Sequence, residues 1–151
     1  RPAATDATSA AQQSAELARL GGYVAILAYV DATDDARAAL ETLRTNLWRQ
    51  TGLAVTMGIG PRYLHSTGQL HKGGPEMGAF LLLVGQPGED LAIPGASYSF
   101  GELFAAQSAG DAATLAKHGL PLVLVDLGED AVAGIRAVAA AARSQPSPAD
   151  D

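Results

Sequence analysis

The run Gly78-Ala79-Phe80-Leu81-Leu82-Leu83-Val84-Gly85 is the longest apolar stretch of the chain, and its reading sets the fold class. It falls far short of the ~20 residues that a membrane helix needs. It shows no alternation of polar and apolar residues, which is the pattern of a strand buried on both faces. Tyr23 to Val30 is a second run of this kind, and Leu53 to Ile59 and Leu122 to Leu127 read as two further strands. The segments between them carry helical spacing instead. Ala36, Leu40, Leu43 and Leu47 predict a helix that Thr33 or Asp34 caps and Gly52 ends. Ser99 and Glu102 form an S-x-x-E capping box that opens a helix to about Lys117. Asp130 to Ala142 is the last helix, with Val132, Ile135, Val138 and Ala142 facing inward, and residues 9–20 predict one more at the start. Doubly buried strands alternating with amphipathic helices imply an α/β fold, a three-layer α/β/α sandwich around a mostly parallel sheet. Ligands of such sheets sit outside the carboxyl ends of the strands.

The composition narrows the function classes. The chain has 151 residues, 48% of them apolar, enough for one domain with a real core. Its formal charge of −6 argues against a broad nucleic-acid surface, and no segment predicts a membrane partner. Cysteine is absent, which removes disulfides and thiolate chemistry and fits a reducing, cytoplasmic compartment. No cationic, apolar leader opens the chain, so no signal peptide is expected. The first residues are Arg1-Pro2 rather than Met, as in a piece of a longer protein. Residues 1–8 and the Pro-, Ser- and Asp-rich tail 144–151 read as disordered, leaving 9–143 as the folded domain.

The polar stretch Gly60-Pro61-Arg62-Tyr63-Leu64-His65-Ser66-Thr67-Gly68-Gln69-Leu70-His71-Lys72-Gly73-Gly74-Pro75 follows the second strand. It reads as a loop, dense in guanidinium, ammonium, imidazole, hydroxyl and amide donors that suit an anionic, polyhydroxylated ligand such as a sugar phosphate. Lys72 can donate to a sugar oxygen and stabilise an enediolate, or be a solvated surface lysine. His65 and His71 can shuttle protons near neutrality, or bond within the loop. Arg62 offers a planar fork for phosphate, or an ion pair that pins the loop. Ser66, Thr67 and Gln69 can bond sugar hydroxyls or their own backbone. The two histidines lack a neighbouring carboxylate pair, so no metal is expected. The glycines lack the dinucleotide fingerprint, so no cofactor is expected either. Outside this stretch, His118 is expected to cap a helix C-terminus and Trp48 to pack at the edge of the core.

The whole stretch 60–75 resembles the signature of the glucose-6-phosphate isomerase part of bifunctional transaldolase/glucose-6-phosphate isomerases. Ile93-Pro94-Gly95-Ala96-Ser97-Tyr98-Ser99-Phe100-Gly101 and Ala105-Ala106-Gln107 extend the resemblance, which covers roughly residues 20–128. It implies a SIS-type sugar-isomerase fold and interconversion of glucose 6-phosphate and fructose 6-phosphate through a cis-enediol. It also places Lys72 in the role of the family's late lysine. The family's catalytic glutamate and ring-opening histidine have no counterpart here, and Glu76 matches no family base. The resemblance therefore implies a late domain that lends a Lys/His loop to a shared active site and is inactive alone. Its partners would be the remaining domains of the parent enzyme or a neighbouring subunit. The alternative is a noncatalytic phosphosugar-binding or assembly module.

Overall fold

The computed structural model describes residues 22–86 and 88–143, together with positions 6, 9, 10 and 13. Most of the helix expected over 9–20, most of segment 1–8 and all of the tail 144–151 lie outside the described residues. The strands Tyr23–Tyr29 (β1), Ala54–Ile59 (β2), Gly78–Gly85 (β3) and Leu122–Gly128 (β4) form one sheet in the order β2-β1-β3-β4. Every pairing is parallel, with Tyr23 opposite both Ala54 and Gly78, and Phe80 opposite Leu122.

The doubly buried runs do what their composition dictates. Along β1, Val24, Ile26 and Ala28 enter one core, and Ala25, Leu27 and Tyr29 enter the other. The first core is closed by the helices Asp34–Thr51 (α1) and Ala131–Arg143 (α4), through Leu40, Leu43, Leu47, Ile135 and Val138. The second is closed by a 3-10 turn, Arg62–His65, and the helices Thr67–Gly73 (α2) and Phe100–Lys117 (α3), through Tyr63, Ala112 and Leu115. The result is a three-layer α/β/α sandwich. Direction of travel explains which face each connection takes. The chain steps one way from β1 to β2 over α1, then back across β1 to β3 on the opposite face, as right-handed crossovers require.

The termini of the helices follow their sequence signals. The Thr33 hydroxyl accepts from the Ala36 amide at 3.2 Å, and Gly52 ends α1 in the left-handed region at φ 69°. The capping box at α3 is complete: the Ser99 hydroxyl accepts from the Glu102 amide at 3.1 Å, and the Ser99 amide donates to Glu102 Oε2 at 2.8 Å. His118 is the C-cap of α3. None of the helices in the described residues is long and apolar enough to cross a membrane.

Two expectations need correction. Trp48 does not pack: it is 55% exposed, because the buried stripe of α1 runs through Leu40, Leu43 and Leu47 and the next residue points about 100° away. The stretch 60–75 is not an open loop at the strand ends. Its 3-10 turn and α2 return the chain from the carboxyl end of β2 to the start of β3, so it is a crossover laid on the sheet. Glycine, histidine and proline disguise it as a loop, yet Tyr63, Gly68 and His71 are buried against the domain.

Candidate functional site

The crossover presents one side to the core and the other to solvent, and the polar residues divide between them. On the inner side, His71 is 5% exposed; its Nδ1 lies 2.9 Å from the Tyr23 hydroxyl, and its ring meets the edge of Phe80. Burial first, and then the adjacent Lys72 charge, push the imidazole pKa below its ordinary value, so His71 is neutral at neutral pH. Burial raises the Tyr23 phenol. Lys72, in the last turn of α2, sets its ammonium on the Asp111 carboxylate, and burial lowers its pKa.

Asp111 is the centre of this inner network. It sits on α3, is 3% exposed, accepts from the Tyr63 hydroxyl at Oδ2 and pairs with Lys72 at Oδ1. Burial pushes its carboxyl up to about 6. The Tyr29 ring packs edge-on against Tyr63, and among the described residues its buried hydroxyl has no hydrogen-bond partner. Burial, and then the Asp111 charge, raise the Tyr29 phenol well above its ordinary range.

On the outer side, Arg62, Ser66 and Thr67 line a shallow hollow of about 330 Å³. It straddles the outer edge of β2, and Arg37 of α1 borders it from the other layer. Met57, Gly58 and Tyr63 also line it. The Tyr63 ring fits because residue 58 has no side chain: a Cβ there would lie 2.7 Å from Tyr63 Cβ. Arg37 Nε donates to the Ala32 carbonyl at 3.3 Å. Among the described residues neither Arg37 nor Arg62 is ion-paired. Two guanidinium groups with two hydroxyls can hold an oxyanion.

The structure thus brings together three of the expected binding residues, Arg62, Ser66 and Thr67. It does not bring His65 or Gln69 to them; both are exposed elsewhere on the crossover. It turns His71 and Lys72 inward, away from the hollow. Asp111, Tyr63, Tyr23 and Tyr29 were not anticipated. Asp111 did carry a signal, because Ser108, Asp111, Ala112 and Leu115 share the buried face of α3 at helical spacing, and a carboxylate on such a stripe needs partners. Among the described residues no three His, Cys, Asp or Glu side chains gather as a metal would require.

A second opening lies where the sheet order reverses, between β1 and β3. This crevice of about 550 Å³ has an apolar floor that includes Val30, Phe104 and Val132. Its rim carries Asp31, Glu89, Asp90, Glu129 and Asp130. Three helices begin around it, and each start is already capped by its own side chains. Asp90 joins the cap of α3, accepting from the Ser99 hydroxyl at 2.6 Å and the Gly101 amide at 2.8 Å, and these bonds hold its pKa below the ordinary value.

No family model matches the chain, and no curated protein matches it. In fold it is similar to a hypothetical protein of Thermus thermophilus known from its crystal structure, with a TM-score of 0.68 and 15% sequence identity. The likeness covers 91% of this chain and 42% of that one. The likeness is one of fold. The chain spans less than half the length of that protein.

Proposed function

We propose that this chain is the phosphosugar-binding late domain of a sugar-phosphate isomerase, and that it binds substrate without performing the isomerisation itself. The observation that carries this reading is the hollow at the β2 edge, where Arg62, Ser66 and Thr67 meet Arg37. A phosphate monoester offers the charge and the acceptors that these donors lack. The resemblance of residues 60–75 to the isomerase part of the bifunctional enzymes supplies the hexose phosphate as the ligand. His71 and Lys72 are engaged with Tyr23 and Asp111, which favours binding over proton transfer for this chain. Isomerisation in the parent protein would then draw its acid and base from other domains or a neighbouring subunit.

Calorimetric titration tests the reading. Fructose 6-phosphate is expected to bind, fructose to bind far more weakly, and Arg62→Ala to reduce fructose 6-phosphate affinity by at least about tenfold, the loss of one charge-assisted contact. Equal affinity for fructose and its phosphate would overturn it. So would rapid isomerase turnover by this chain in a coupled assay.

A further inference from the structure

The hollow is made by a short crossover, so something must hold that crossover in place. Of its four-residue 3-10 turn, only Tyr63 is buried. Tyr63 lines the hollow, its neighbour in sequence is Arg62, and its hydroxyl ends on Asp111. Asp111 belongs to a different element, α3, and lies outside the hollow. We infer that Asp111 is a positioning residue for the anion hollow: through Tyr63 it sets where Arg62, Ser66 and Thr67 stand relative to Arg37. This rests on the reading of the hollow as a phosphosugar site.

The physical argument is one of leverage. A phenol ring is rigid, so a hydrogen bond at its far end fixes the backbone at its near end. The acceptor is a buried carboxylate, and a bond to a buried charge is stronger than one to a neutral group. Lys72 ties the other end of the crossover to the same carboxylate, so one side chain of α3 anchors both. Among the described residues the Tyr29 hydroxyl of β1, buried beside this cluster, has no hydrogen-bond partner, so it makes no bond to Tyr63 that could stand in for the one to Asp111. Without the acceptor, the phenol must leave the core or stay unpaired there, and either shifts the turn that carries Arg62.

The test uses the full chain and variants at the two ends of this bond. Tyr63→Phe keeps the ring and deletes only the donor. Asp111→Leu deletes the acceptor, and Asp111→Asn retains one while removing the charge. Fructose 6-phosphate and inorganic phosphate are the probes in calorimetry. Tyr63→Phe and Asp111→Leu are each expected to weaken fructose 6-phosphate binding about tenfold, the double variant no more than the worse single one, and Asp111→Asn to restore affinity to within about threefold of the parent. Additive losses, or unchanged affinity in Tyr63→Phe, would overturn the inference. The backbone supplies a readout that needs no ligand. Hydrogen exchange at amides 62–67 is expected to quicken about tenfold in Tyr63→Phe while amides 39–47 of α1 hold their rate. If the parent chain binds neither probe, the functional reading falls, and this exchange measurement alone decides the role of Asp111. Unaltered exchange at 62–67 would then end it. Should Asp111→Leu not fold, Tyr63→Phe carries both measurements.

Discussion

Replacing Asp111 by Asn should make the protein more stable at neutral pH, and by an amount that the structure sets. The carboxyl has an ordinary pKa of 3.8 and is pushed by burial up to about 6 in the fold. At about 1.4 kcal/mol for each tenfold in the protonation equilibrium, the gap is worth about 3 kcal/mol. The sign follows from proton counting. Between 3.8 and about 6 the folded chain holds a proton that the unfolded chain has lost, so stability falls as pH rises across that window. Above it the carboxylate is ionised in both states and the deficit is complete. Asn has nearly the same shape as the protonated acid, keeps an acceptor for Tyr63 and does not titrate, and Lys72, whose side chain is 26% exposed, can turn its ammonium to water once the carboxylate is gone. Urea unfolding of the two proteins over a pH series, taken as a difference, cancels the other carboxylates. The curves should coincide near pH 3.5, and the variant should lead by up to about 3 kcal/mol near pH 7. A difference that stays flat, or a parent that gains on the variant as pH rises, would refute the reasoning. The second outcome would mean that Lys72 and Tyr63 outweigh burial.

Two further outcomes follow from the same packing. Gly60→Ala places a methyl group 2.8 Å from the Tyr29 ring, and urea unfolding should show a loss of about 1–3 kcal/mol, the usual cost of overfilling a core. His71→Phe removes a buried imidazole whose pKa lies below its ordinary 6.5. The unfolded chain takes that proton first, so the parent should lose stability as pH falls below 6.5 and the Phe variant should lose less, as read from thermal melts between pH 7 and 5.

The sheet was legible because its strands are buried on both faces. Runs such as Phe80 to Leu83 admit few other readings, and the caps at Thr33, Gly52 and Ser99 mark helix ends by local chemistry alone. The crossover was not legible. Its helix is seven residues long and rich in poor helix formers, so packing of Tyr63, Gly68 and His71 decides its state rather than local preference. Part of the candidate site could be read from residue type: Arg62, Ser66 and Thr67 do share one hollow. Arg37 could not be joined to them, because the contact spans two layers across an edge strand. Lys72 looked like a free cation because its partner lies far along the chain on α3. Trp48 was misjudged by assuming that an aromatic next to a core leucine follows it inward.

The self-capped helix starts around the crevice also sort the two openings by sign. A helix start whose amides are free welcomes a negative group, but here Thr33, Ser99 and Asp130 each already hold one of those donors, and five acids stand at the mouth. On the proposed reading, a phosphorylated molecule would be repelled there and attracted instead to the arginines at the sheet margin. The acidic mouth of the central crevice would suit an uncharged or positive group better than an anion.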